Sequence, residues 1–128
     1  MSKEANDFAL RVIRDLVDQD FKLHDSKECY NVYRKNMNTF DLILTITNFD
    51  TLRIGLEADN DYGISSIFDG NYIYNDRDLD ALAAKIRKDF IEQHEHNRQF
   101  TRLVSESNDI IDDGLRYFYE KENLKNEC

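Results

Sequence analysis

The sequence contains no proline and no tryptophan, and its only cysteines are Cys29 and Cys128. Without proline, the chain has no proline-stiffened linker and no slow cis-proline step in folding. Two cysteines, one of them the last residue, do not form a disulfide framework, which indicates a reduced, cytoplasmic protein. No apolar run approaches the roughly 20 residues of a membrane helix, and we see no signal-peptide pattern at the start.

The patterns of common catalytic and cofactor sites are also absent. The four glycines are scattered at positions 55, 63, 70 and 114 and form no phosphate-binding loop. Ser65 and Ser66 lack the flanking glycines of a nucleophile elbow. We therefore predict no enzyme activity and no cofactor, although Asp41 and Glu57 on facing strands leave an acid–base pair open as an alternative.

Two segments carry metal-ligand side chains without a complete ligand set. The stretch DNDYG begins at Asp59 and resembles the start of a calcium loop. Its fifth and twelfth positions are Gly63 and Gly70, where an EF-hand needs ligands. Glu92 and His96 are spaced to share one helix face, but no second pair of ligands accompanies them. We predict no metal site and interpret DNDYG as a hairpin loop.

Negative charge is abundant, and it is concentrated in the middle of the chain. The 128 residues carry a formal net charge of −9. Residues 36–84 contain nine acidic side chains and only two basic ones, Arg53 and Arg77, whereas residues 1–35 contain seven of each sign. This distribution argues against direct binding of nucleic acid or of an anionic membrane. It favours a positively charged protein partner.

Hydrophobic periodicity predicts one α+β domain over residues 1–128. Apolar side chains at helical spacing predict an N-terminal helix over residues 5–19. Alternating side chains then predict a four- or five-stranded antiparallel meander, with its last turn at Asp69-Gly70. The predicted strands are 28–35, 39–49, 51–57, 63–68 and 71–75.

Helical spacing returns after a predicted cap at Asn75 or Asp76. It predicts two or three C-terminal helices, with breaks near residues 94–99 and 105–109, and a frayed tail over residues 120–128. The helices are expected to pack on one face of the sheet. The other face would then stay open and carry acidic and aromatic side chains.

The acids of the middle segment and the tyrosines between them are the candidate interaction surface. Turns and helix caps account for the acids one at a time, but not for the scarcity of lysine and arginine among them. Carboxylates spaced along a sheet can imitate nucleic-acid phosphates, and tyrosines are common anchors in protein interfaces. The candidate partner-binding residues are Glu57, Asp59, Asp61, Tyr62, Asp69, Tyr72, Tyr74, Asp76 and Asp78.

In general character, the chain resembles the inhibitor proteins that phages and mobile elements use against nucleic-acid-binding host systems, including anti-CRISPR proteins. The resemblance lies in small size, acidity, absence of proline, α+β organisation and lack of a catalytic signature. It implies a cytoplasmic inhibitor that occupies a basic groove as a nucleic-acid mimic.

Two alternatives stay open. One is a dimeric structural or chaperone-like module that associates through an apolar stripe of the C-terminal helices. The other is a small-ligand binder or hydrolase with a site between sheet and helix. The stripe consists of Phe100, Leu103, Ile110, Ile111, Leu115 and Phe118.

Overall fold

The chain folds into one helix, a five-stranded sheet and two further helices. The structure, a computed structural model, describes the backbone of residues 3–100 and 105–126 and the side chains of residues 3–97 and 110–121. All five strands are antiparallel, and each lies beside its neighbour in sequence. The predicted α+β meander with two C-terminal helices is therefore confirmed. The elements are α1 (Lys3–Val17), β1 (Lys22–Ser26), β2 (Tyr30–Asn36), β3 (Asp41–Asn48), β4 (Leu52–Asn60), β5 (Gly63–Tyr72), α2 (Leu79–Phe100) and α3 (Ser105–Asn126).

Helix α1 buries its apolar stripe against the sheet. Ile13 and Leu16 are fully buried, and the helix contacts β3 and β4. The helix ends at Val17 because Asp18 adopts the left-handed conformation, with φ of 54°. The Asp18 N–H donates to the carbonyl of Arg14 at 2.8 Å, which satisfies one of the last carbonyls of the helix.

The two faces of the sheet differ because side chains alternate along β3 and β4. Leu44 lies opposite Leu56 on the face that the helices cover, and both are fully buried. Thr45 and Glu57 belong to the alternating positions of the other face, where side chains are only partly buried. Helix α2 packs along β5, and α3 packs on α1 and α2. One face of the sheet is thus left open.

The predicted turn at Asp69-Gly70 is wrong. Both residues lie inside β5, where Asp69 pairs with Gly55 and Gly70 pairs with Ile54. The glycine is needed for packing, because a Cβ at Gly70 would lie 2.5 Å from the hydroxyl oxygen of Tyr72. The true hairpin loop between β4 and β5 is Asp61-Tyr62, as the interpretation of DNDYG predicted.

Other parts of the prediction also differ from the structure, and one of them is the second predicted break at residues 105–109, which lies inside α3. Strand β1 was not predicted, because all five of its side chains are exposed and give no hydrophobic alternation. Helix α2 runs without interruption through the predicted break at residues 94–99. Its N-cap is Asp78, whose Oδ1 accepts the N–H of Ala81 at 3.1 Å. Backbone helix covers residues 120–126, and the frayed tail stays a prediction.

Gly114 allows α3 to approach the C-terminal end of α1. A Cβ at Gly114 would lie 2.7 Å from both the carbonyl carbon and the carbonyl oxygen of Val17. Backbone atoms of a packed helix cannot move aside as a flexible side chain can. The glycine that weakens α3 locally is therefore required by the packing of the two helices.

We expect Gly114→Ala to lower the free energy of unfolding by up to about 2 kcal/mol. The overpacking cost of about 1–3 kcal/mol exceeds the gain of about 1 kcal/mol in helix propensity. Urea denaturation measures the difference, and Asp113→Ala at the exposed neighbouring position is the control. A stabilised Gly114→Ala variant would show that α3 does not pack closely on α1.

Candidate functional site

A groove opens at the end of the sheet, between the β2–β3 loop and the β4–β5 hairpin. The two loops lie side by side because Asp41, the first residue of β3, pairs with Asp59 near the end of β4. The groove has a volume of about 610 Å³ and is lined by residues 36–41 and 59–62. We refer to these residues as the sheet-end groove. Three of the predicted partner-binding residues, Asp59, Asp61 and Tyr62, belong to it.

Arg34 of β2 holds two carboxylates of the groove in place. Its Nη2 donates to Asp59 Oδ2 at 3.1 Å. Its Nε lies 3.2 Å from Asp41 Oδ2, without the alignment of a hydrogen bond. The three side chains are each about one-third exposed, so solvent screens the ion pairs only in part. One guanidinium thus fixes an acidic side chain from each of two adjacent strands.

The hairpin tip presents an acid and an aromatic ring to solvent. Asn60 Oδ1 accepts the N–H of Tyr62 at 2.8 Å and so fixes the turn. Gly63 follows with φ of 140°, a conformation that side-chain-bearing residues rarely adopt. Tyr62 is 98% exposed, and Asp61 is exposed and has no ion pair with any residue in the described part of the chain. These two side chains are therefore free to contact a partner.

Further along the open face, an arginine pairs with a second predicted acid. Arg53 Nε and Nη2 donate to the two carboxylate oxygens of Asp69 at 3.2 and 3.0 Å. These bonds, together with the attraction between the charges, raise the pKa of Arg53 above its ordinary value. Glu57 lies on the same face beside Gly55, where an open space of about 190 Å³ remains above the strand. Asp69 is therefore partly neutralised, whereas Glu57 is not ion-paired with the described residues.

The remaining predicted residues lie away from the groove. Tyr72 is only 4% exposed, and its hydroxyl donates to Asp89 Oδ2 of α2 at 2.8 Å. Tyr74 is half-buried against Phe8, with ring centroids 6.0 Å apart in an edge-to-face arrangement. Tyr72 therefore joins α2 to the sheet, and Tyr74 joins the connection after β5 to α1.

Asp76 and Asp78 are exposed in the connection from β5 to α2. Since β4 spans nine residues, this end of the sheet lies about 25 Å from the sheet-end groove. The nine predicted residues consequently do not form one surface.

Sequence reasoning did not select Arg34 and Asp41 as members of the site. Both are brought to the groove by strand pairing: Arg34 lies opposite Ile43, and Asp41 lies opposite Asp59. The signals that would have found them are the two short turns that join β2 to β3 and β3 to β4, because these turns fix the register of the three strands.

No known protein family, curated protein or solved structure matches this chain. Within residues 3–100 and 105–126, no three acidic, histidine or cysteine side chains are grouped so that they could hold a metal ion. The helices over the same residues are not apolar enough along a sufficient length to cross a membrane.

We expect Arg34→Gln to lower the free energy of unfolding by about 1–2 kcal/mol. Without the guanidinium, Asp41 and Asp59 face each other across a strand pair as like charges. Adding Asp59→Asn should recover part of the loss, and a double-mutant cycle by urea denaturation measures this coupling.

The exposed pair of Arg53 and Asp69 is the matched control for this cycle. Its coupling is expected to be much smaller than that of Arg34 with Asp59, because both side chains are more than half exposed and solvent screens their charges. Equal coupling in the two cycles would show that Arg34 does not organise the groove.

We expect stability to fall above about pH 10, with Tyr72 contributing to the fall. Burial first, and then the hydrogen bond to Asp89, raise the pKa of Tyr72 well above the ordinary tyrosine value. Since the folded protein retains a proton that the unfolded chain releases above about pH 10, the free energy of unfolding decreases there. Tyr72→Phe should reduce this pH dependence, as measured by urea denaturation between about pH 9 and pH 11. Identical pH dependence in wild type and variant would contradict the prediction.

Proposed function

We propose that this protein binds a positively charged protein surface through the sheet-end groove. The observation that supports the proposal is the arrangement of Asp41, Asp59 and Asp61 around one groove with a single guanidinium, that of Arg34, beside them. Carboxylates from β3, from β4 and from the β4–β5 hairpin loop converge there, next to the exposed ring of Tyr62. A fold that needed these acids only as turn residues would not require them to converge.

The groove offers an arginine or lysine of a partner two kinds of contact. Asp61 can accept charge-assisted hydrogen bonds, which are roughly twice as strong as neutral ones. The face of the Tyr62 ring can contact the same cation, a contact that contributes about 0.5–1 kcal/mol at exposed sites. Asp41 and Asp59 add negative potential without having to reorganise, because Arg34 already holds them.

The class of partner follows from the charge of the protein. A basic surface that normally contacts nucleic-acid phosphates would be attracted by the net charge of −9 and guided to the groove. On this proposal, the protein acts in the cytoplasm as an inhibitor that competes with nucleic acid for such a surface, in the manner of the anti-CRISPR-like proteins that it resembles in character.

The dimer alternative has less support from the positions of its residues. Ile111 is fully buried and Leu115 is 7% exposed, so the core already uses these members of the predicted stripe. Ile110 and Phe118 are half-buried, while the side chain of Phe100 and the whole of Leu103 lie outside the described residues.

We expect Asp61→Lys to weaken binding of octa-arginine by about tenfold, which corresponds to about 1.4 kcal/mol. The substitution places a positive charge where the partner's cation should bind. Asp76→Lys is the matched control, because it makes the same change in net charge at the other end of the sheet. Isothermal titration calorimetry at low and at high salt measures both affinities.

The control variant is expected to change the affinity by less than about twofold, since a distant exposed charge is screened. Equal weakening by the two variants would mean that octa-arginine responds to net charge alone. Such a result would contradict the groove as the binding site.

A further inference from the structure

Side-chain amides of α2 cover part of the outer edge of β5. Gln93 Oε1 accepts the N–H of Asp69 at 2.9 Å, and Gln93 Nε2 donates to the carbonyl of the same residue at 2.8 Å. Asn97 Nδ2 donates to the carbonyl of Ile67 at 2.8 Å. A sixth strand would make bonds of this kind at these residues. Two amides therefore take the place of a neighbouring strand along the second half of β5.

The first half of β5, Gly63–Ser66, is not covered in this way. The N–H and the carbonyl of Asp69 both point away from β4, toward Gln93. The pairing register shifts at Ile67, and beyond the shift Ser65 pairs with Ala58. Alternation then directs the backbone groups of Ile64 and Ser66 away from β4. Within the part of the chain that the structure describes, no side chain bonds to these groups. We refer to Gly63–Ser66 as the free edge.

Acidic side chains lie at both ends of the free edge. At the hairpin end, Ile64 pairs with Asp59, and Asp61 is two residues before Gly63. At the other end, exposed Glu92 of α2 lines a cavity of about 330 Å³ together with Ser66. An extended segment along this edge would run from the sheet-end groove to Glu92. Its basic side chains would meet negative charge at either end.

We infer that the free edge accepts an extended segment of the basic partner as an added strand. The inference rests on the proposed function and specifies how the partner is bound. Backbone hydrogen bonds to Ile64 and Ser66 provide affinity that is independent of sequence, and the flanking carboxylates select a basic segment.

The opposite edge of the sheet is less suited to this role. Strand β1 has only five residues, and its pairing with β2 is irregular between Leu23 and Asp25. Lys22 lies on it as well, and short strands, irregular pairing and lysine all discourage strand addition.

Amide hydrogen exchange on the wild-type protein tests the inference. The probe is a short peptide of alternating arginine and valine, and the control peptide has threonine in place of arginine. The arginine peptide should slow exchange of the Ile64 and Ser66 amide protons by about tenfold or more, because both become hydrogen-bonded. The threonine peptide should slow exchange much less, because it lacks the charges that the carboxylates select.

A backbone variant provides a second measurement. Ser66→Pro removes an outward N–H and leaves every carboxylate in place, and proline is tolerated at such edge positions. It should weaken binding of the arginine peptide by about tenfold, whereas Ser66→Thr, which keeps the N–H, should bind as the wild type does. If Ser66→Pro does not fold, the exchange experiment on the wild type still decides.

The outcomes separate the inference from the proposed function. If the arginine peptide binds and is sensitive to Asp61→Lys, but the Ile64 and Ser66 amides exchange as in the free protein, strand addition is overturned and the groove is not. If these amides are protected but Asp61→Lys does not change the affinity for the peptide, the proposal that the sheet-end groove binds the partner is overturned. Absence of binding overturns both.

A second copy of this chain is the other possible occupant of the free edge. Protection of the Ile64 and Ser66 amides that rises with protein concentration in the absence of peptide, together with a dimer mass in light scattering, would overturn the assignment to a partner.

Discussion

The pairing register of β3 with β4 determines which side of the molecule is apolar and which is acidic. Leu44 opposite Leu56 places the large aliphatic side chains beneath the helices. The same register places Asp41 opposite Asp59 on the open face. A shift by one residue would bring carboxylates into the core and leucines into solvent, at a cost far larger than the stability of a small domain. Burial of the leucines therefore also positions the groove.

Charge on the open face is set by pairing between strands that are distant in sequence. The segment from residue 55 to residue 80 contains one basic residue, Arg77, so its acids are almost unopposed when charges are counted along the chain. The sheet brings Arg34 to Asp59 and Arg53 to Asp69. Two of the acids are thereby partly neutralised, and Asp61 remains without an ion pair among the described residues. The acidic surface is thus smaller and more localised than the sequence indicates.

Sequence periodicity predicted most of the fold and only part of the site. Alternation identified β3 and β4 because each has one buried face, whereas fully exposed β1 has no such pattern. The Asp69-Gly70 dipeptide favours a turn locally. In the folded protein both residues stay in the extended conformation of β5, and the ring of Tyr72 packs beside Gly70, so tertiary packing outweighs the local preference. Asp59, Asp61 and Tyr62 could be selected as candidate residues from the sequence because they are close together along the chain. Arg34 and Asp41 were not, because their role exists only after the strands pair.

The two edges of the sheet are protected against the addition of another strand to different extents. Exposed edges promote unwanted association, so a fold normally shortens, charges or covers them. Here β1 is short and carries a lysine, and Gln93 and Asn97 of α2 cover the second half of β5. The first half of β5 is protected by neither means, and it adjoins the groove in which acidic side chains converge. The unprotected half of the β5 edge thus lies next to the carboxylates of Asp59 and Asp61. This is the arrangement expected if the free edge and the groove bind the same partner.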